Sequence, residues 1–308
     1  MTTFFKTWGE AVEYDLLRNK NHGKDRASHD DVVHHLDYFT ACYGKSFPCM
    51  EITQDVIDDM QTQVMEERNV VNATANRYMA SVKAVLNFAY SKRKLPHSFK
   101  FIKLKENKGR PNWYDKSTID AYEQVARSLN FCRDDLADIA VFGAYVGARQ
   151  AEILNLRSID IDLDAYDGRG SIYIGGRPGF STKNDDWREV PMHTRVRPII
   201  LKRINKTHPN TLIFGHDWAN KDKLLREFKK VLVYLEQPPV MNFHHLRHSF
   251  GVWHAEAGTP IRTLMELMGH KTIETTIMYA KVSNKARADA MANILSLIHI
   301  SEPTRQIR

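Results

Sequence analysis

Residues 149–192, RQAEILNLRSIDIDLDAYDGRGSIYIGGRPGFSTKNDDWREVPM, are where the texture of the chain changes. RQAEILNL (149–156) spaces its apolar residues as a helix does, whereas SIDIDL (158–163), GSIYIGG (170–176) and WREVPM (187–192) read as short strands between Gly- and Asp-rich turns. Three such runs in close succession predict a small antiparallel sheet near residues 159–192. Asp160, Asp162 and Asp164 alternate with Ile and Leu, the pattern of a half-exposed strand rather than of a metal cage. Around the sheet the chain reads as helix. Helical stretches cover 116–129 and 134–146 upstream, and helix resumes downstream with a break at Pro238–Pro239.

Further upstream, FKTWGEAVEYDLL, DDVVHHLDYFTACYG, TQDVIDDMQTQVMEE and TANRYMASVKAVLNFAYSK each repeat apolar residues at i, i+3 and i+4. Asp30, Thr53 and Asn72 or Thr74 are the expected N-caps for three of these helices. In the fourth, Tyr78, Val82, Val85 and Leu86 fall on a core face, which leaves Asn76, Arg77 and Lys83 towards solvent or DNA. Four helices in about a hundred residues form a small bundle. KLKENKGRPNW (103–113) is basic, lacks apolar periodicity and contains Gly-Arg-Pro, so it reads as a linker. The expected class is mainly α with a small antiparallel β-sheet, in two domains: a helical bundle at 1–102 and an α+β domain at 114–294. A length of 308 residues fits two domains of ordinary size.

Charge is distributed unevenly along the chain. Residues 1–76 hold 7 Lys/Arg against 13 Asp/Glu, residues 77–110 hold 10 against the single Glu106, and residues 195–230 hold 10 against 3. Such basic blocks, including Lys83, Lys92, Arg93 and Lys94, are the footprint expected where phosphates are neutralised, although a solvated basic linker carries the same signature. No apolar run is long enough to span a bilayer, and the N-terminus lacks the basic and apolar regions of a secretion signal. Three scattered cysteines do not make a disulfide framework, and the expected setting is the cytoplasm.

Four separated patches concentrate cationic and protonatable side chains: GARQAE (147–152), STKNDDWREVPM (181–192), HHLRHSF (244–250) and MGHKTIETTIMYAKV (268–282). Phosphodiester chemistry without a metal needs fixed cations on the phosphoryl oxygens, and the guanidinium forks of Arg149 and Arg247 suit this. Tyr279 offers a nucleophilic phenol. Lys183 or a histidine can protonate the departing oxygen, and His244 and His270 can bond the phosphate or assist Tyr279. Singly, each residue has a plainer reading: Arg149 and Glu152 as a helix-surface ion pair, Lys183 as a solvated turn residue, Tyr279 as core packing. His244, His245 and His248 bring zinc to mind, but no His-Glu-x-x-His, cysteine or carboxylate ligand accompanies them.

Taken together, the patches resemble the tyrosine recombinase (phage integrase) family. GARQAE matches its Gly-x-Arg-x-x-Glu box, HHLRHSF its His-x-x-Arg-His box, and MGH followed nine residues later by Tyr279 its spacing to the nucleophile. TKNDDWREVPM resembles the hairpin that carries the family's lysine, and TANRYMASVKAVLNFAYSK looks like the end of its core-binding, SAM-like domain. The resemblance implies a clamp of two domains around duplex DNA. It implies that Tyr279 forms a 3′-phosphotyrosine, that Arg149, Arg247 and His244 hold the phosphate, and that Lys183 protonates the leaving oxygen. His270 would support the phosphate or the tyrosine, Glu152 would orient Arg149, and His248 would stand behind these groups. Neither metal nor other cofactor is implied, because the phosphotyrosine conserves the bond energy. Four protomers on two DNA sites would exchange strands, as in phage or mobile-element integration and excision. Asn76, Arg77, Lys83, Lys92, Arg93 and Lys94 are the expected DNA contacts of the first domain.

Three other readings stay open at this level: a type IB topoisomerase, a non-catalytic DNA-binding protein on the same scaffold, and, least supported, a zinc hydrolase. LSLIHISEPTR (295–305) resembles the translation of a sequencing-library adapter read through in frame, which marks 295–308 as foreign to the fold.

Overall fold

A computed structural model describes residues 4–21, 26–106, 109–129, 134–175, 187–214, 218 and 221–282. The chain divides into two compact units, residues 1–109 and 110–308.

The first unit holds α1 (Trp8–Asn21), α2 (Arg26–Tyr43), α3 (Gln54–Arg68) and α4 (Asn72–Ser91). Each is amphipathic, and the apolar stripes meet in one core around Trp8, Leu36, Phe39, Ile52, Val64 and Val82. Tyr78, Val82, Val85 and Leu86 are buried as their spacing predicts. Thr53 caps α3, its hydroxyl accepting the Val56 N–H at 3.4 Å, and Asn69 ends that helix in the left-handed conformation at φ 46°. Two expected caps differ. α2 begins at Arg26, so Asp30 lies inside it. α4 is capped by the backbone of Val71, because the Asn72 side chain donates to the Lys105 carbonyl at 2.9 Å.

That bond belongs to a set which revises the linker. Asn76 donates to the Leu104 carbonyl and accepts the Leu104 N–H, both at 2.9 Å, while Gln61 donates to the carbonyl of Ile102 and Gln54 to that of Lys100. Residues 100–106 are thus laid along α3 and α4 by side-chain amides that stand in for a missing strand partner, and a segment read from 103 as linker belongs here to the helical unit.

The second unit is built on α5 (Lys116–Ser128) and α6 (Asp134–Val146). Residues Leu136–Ala144 of α6 are buried almost all round, the mark of a helix that runs through a core. Two carboxylates on it are internally matched: Asp138 by Arg127 and Arg203, Asp135 by the Trp218 indole N–H at 2.7 Å. α7 (Gln150–Leu154) leads into the sheet, with β1 (Ile161–Asp162), a one-turn α8 (Ala165–Gly168), β2 (Ser171–Ile174) and β3 (Arg188–Pro191). The sheet is antiparallel in the order β1-β2-β3, with Ile161 opposite Ile172, Ile172 opposite Val190 and Ile174 opposite Arg188. Among the described residues five further helices follow: α9 (Arg197–Arg203), α10 (Lys221–Tyr234), α11 (His244–Glu256), α12 (Ile261–Met268) and α13 (Glu274–Val282). The structure is therefore mainly helical with one small antiparallel sheet, as the sequence predicts. Among the described residues no helix is long and apolar enough to cross a membrane.

Candidate functional site

α11 is the spine of the site. His244, Arg247, His248 and Gly251 follow at i, i+3, i+4 and i+7, so they line one face. The start of the helix is fixed twice by Asn242, whose carbonyl side-chain oxygen accepts the His244 N–H at 2.9 Å and whose own N–H is accepted by His245 Nδ1 at 3.1 Å. Tyr114 ties the same helix down, its N–H donating to Ser249 Oγ and its hydroxyl to the Asn242 carbonyl.

Arg247 is 3% exposed, and its guanidinium donates to two backbone carbonyls, Gly147 at 2.6 Å and Met268 at 2.5 Å. Carbonyl dipoles position a cation without neutralising it. Burial, then the charges of Arg149 and Arg188, push Arg247 down to about 10. A buried positive charge whose hydrogen bonds, among the described residues, go to backbone carbonyls is a seat for an anion.

The Gly147 carbonyl is available because Gly147 adopts φ +68°, and a Cβ there would lie 2.6 Å from the Phe250 ring. This turn ends α6 and delivers Arg149 as the N-cap of α7, with its side chain 49% exposed. Arg149 is held from one side by Glu152, which accepts its N–H at 2.7 Å and its guanidinium at 2.8 Å. The other face of the same carboxylate accepts two bonds from Arg188, at 3.1 and 2.9 Å. Burial alone would raise the Glu152 pKa, but Arg188 and then Arg149 outweigh it and hold the group at about 2.

Arg188 is absent from the sequence-derived set. It is 9% exposed on β3 and shares an inward face with Val190, and it also donates to the Leu267 carbonyl at 2.8 Å. The available signal is register: an arginine two residues before a buried valine on a strand must point inward. Gly269, which closes α12 at φ +62°, makes room for it, since a Cβ there would lie 2.9 Å from Arg188 Cδ.

Tyr279 comes from α13. It is 2% exposed, packs its ring where Gly251 leaves α11 bare, and sits with its hydroxyl 2.8 Å from His248 Nδ1. Burial pushes its pKa up to about 12, against the opposing pull of Arg247 and Arg149. His270 stacks on the tyrosine ring at 6.3 Å between centroids, its Nδ1 hydrogen-bonded to buried Thr276 at 2.8 Å. Burial, followed by Arg247 and Arg149, lowers His270 to about 4, and His244 is lowered for the same reasons in the same order.

Of the expected site residues, Arg149, Glu152, His244, Arg247, His248, His270 and Tyr279 are thus brought together by the described contacts. Lys183 lies outside the described residues. In the first unit Arg77, Lys83, Lys92 and Arg93 are exposed, with Lys83, Lys92 and Lys94 within 6 Å of the rings of Phe101, Phe88 and Phe5. Asn76 differs: its side chain is committed to Leu104 and Glu106. No group of three or more His, Cys, Asp or Glu arranged to hold a metal occurs among the described residues.

Residues 121–286, which span this site, match the model of the phage integrase family. The chain belongs to that family. It is 32% identical over 171 residues to the tyrosine recombinase XerA of Thermococcus kodakarensis, covering 52% of this chain and 57% of the relative. It is 22% identical over 255 residues to the integrase of Salmonella phage P22, covering 79% and 62%. The chain spans about half to three-fifths of the length of these two relatives and of a tyrosine recombinase of Thermosipho africanus. In fold it is similar to the integrase of the Tn1549 transposon, solved with transposon right end DNA, at TM-score 0.74 and 16% identity over 94% of this chain and 99% of that one. XerH recombinase, solved on a palindromic difH substrate, aligns at TM-score 0.70 and 15% identity over 94% and 85%.

Proposed function

We propose that this chain is a site-specific DNA recombinase that cleaves and rejoins duplex DNA through a 3′-phosphotyrosine on Tyr279, integrating or excising phage or mobile-element DNA. One observation carries the reading: Arg247, buried and bonded only to carbonyl oxygens among the described residues, shares its pocket with a tyrosine that points its hydroxyl into the site. A scissile phosphate fits as the missing counter-charge. Arg247 and Arg149 bind its non-bridging oxygens, and the gain grows as negative charge builds in the transition state. His244 and His270, both neutral, add hydrogen bonds, and Glu152 keeps Arg149 aimed. Lys183 protonates the departing 5′-oxygen. The names of the relatives and the DNA in the similar solved structures support the same reading.

On this reading the helical unit, residues 1–102 with 103–106 laid along it, is the core-binding domain and 114–294 the catalytic domain, 295–308 being foreign. Arg77, Lys83, Lys92, Arg93 and Lys94 face the DNA backbone, and four protomers assemble on two sites in the cytoplasm. The test is covalent trapping in EDTA with fragmented DNA from the source sample, the trapped fragments being sequenced. The chain is expected to yield adducts at a few sites, and Tyr279→Phe to bind DNA without any. Adducts spread over all sequences would replace the recombinase by a topoisomerase-like activity; binding without adducts would leave a DNA-binding protein.

A further inference from the structure

Among the described residues, the Tyr279 hydroxyl has a single hydrogen-bond partner, Nδ1 of His248 at 2.8 Å. A buried phenol that is protonated at neutral pH needs an acceptor, so the O–H donates and Nδ1 receives, with the imidazole proton on Nε2. The other rings are placed otherwise. His270 stacks flat on Tyr279 and spends its Nδ1 on Thr276, while His244 stands edge-on to His248 at 4.8 Å. Burial, then His244, His245, Arg247 and His270, hold His248 at about 4, which keeps it an unprotonated acceptor at neutral pH.

We propose that His248 is the general base of strand cleavage, a role that rests on the reading of Tyr279 as nucleophile. In the step, the Tyr279 O–H bond breaks and its proton passes to His248 Nδ1, giving an imidazolium. The freed electron pair of the phenolic oxygen forms the bond to phosphorus, and the bond from phosphorus to the 5′-oxygen breaks with its electrons, that oxygen taking a proton from Lys183. In religation the imidazolium returns its proton to the tyrosine oxygen. The charges facing the pair make this step conditional on DNA. Arg247, His244, His245 and His270 disfavour a further positive charge on His248, and a phosphodiester seated on Arg247 and Arg149 offsets them.

The experiment uses the full chain and a duplex found by covalent trapping, in two forms: the natural phosphodiester, and a bridging 5′-phosphorothiolate whose leaving group needs no proton. His248→Asn keeps a polar atom where Nδ1 stands but has no usable basicity. It should bind the duplex as the parent does and form the adduct roughly 10²–10⁴-fold more slowly at pH 7. The phosphorothiolate should not restore it, and its rate should climb about tenfold per pH unit as the phenol ionises unaided. Cleavage within a few-fold of the parent, or restoration by the phosphorothiolate, would overturn the proposal. Should His248→Asn fail to bind DNA, His248→Ala with imidazole in the buffer carries the test, and absence of rescue overturns it. An adduct formed by Tyr279→Phe would instead remove the nucleophile assignment beneath it.

Discussion

Replacing Glu152 by glutamine removes one charge from the centre of the cation cluster with little change of shape, and its cost can be worked from the structure. The carboxylate accepts four hydrogen bonds from Arg149 and Arg188 and titrates at about 2 rather than 4.5. At about 1.36 kcal/mol per tenfold in proton affinity, that difference favours the folded, charged form by roughly 3 kcal/mol. The folded value is the depressed one, so this stability is complete above about pH 5 and is lost as pH falls towards 2. By the same linkage less than half of it should remain near pH 3. Urea unfolding of the parent and of Glu152→Gln, followed by tryptophan fluorescence at a series of pH values, measures the gap directly. Four of the five tryptophans (Trp113, Trp187, Trp218 and Trp253) lie beyond residue 109 and report on the unit in question. The expected gap is about 3 kcal/mol at pH 7, closing with acid. A gap that does not change with pH, or one below about 1 kcal/mol at pH 7, would show that the charge of Glu152 is not what stabilises the cluster.

Two more substitutions test separate parts of the scaffold. Gly251→Ala places a methyl 2.8 Å from three atoms of the Tyr279 ring, an overpacking of about 1–3 kcal/mol, and should reduce adduct formation more than DNA binding; equal losses in both assays would contradict it. Asp138→Asn leaves Arg127 and Arg203 facing each other across a carboxyl site that is 2% exposed, and thermal unfolding should report a loss of about 3–5 kcal/mol, a loss below about 1 being evidence that the arginines reach solvent instead.

The helices, the sheet and most of the site residues were legible because each rests on local information. Periods of 3.6 and 2 persist whatever the chain packs against, and Arg247, His248 and His244 need only one helix to share a face. What escaped depends on partners far along the chain. Arg188 meets Glu152 across 36 residues and Asn76 meets Leu104 across 28, and neither pairing leaves a period to read. Asn72 had the composition of a cap, yet its amide found the Lys105 carbonyl, and composition alone does not choose between two acceptors. The basic character of 103–113 likewise described its solvent face and not the bonds from the Asn72 and Asn76 side chains to the backbone of its first residues.

The division of groups between α11 and α13 has a consequence of its own. Arg149, Glu152, Arg188 and Arg247 are braced on α6, α7, β3, α11 and the end of α12, whereas α13 carries Tyr279 together with Thr276, the prop of His270. A shift of α13 therefore moves Tyr279 and loosens His270 while the bonds among the arginines and Glu152 stay in place. On the proposed reading, seating the phosphate and attacking it fall to different helices, so displacing one short segment stops the attack without unseating the phosphate.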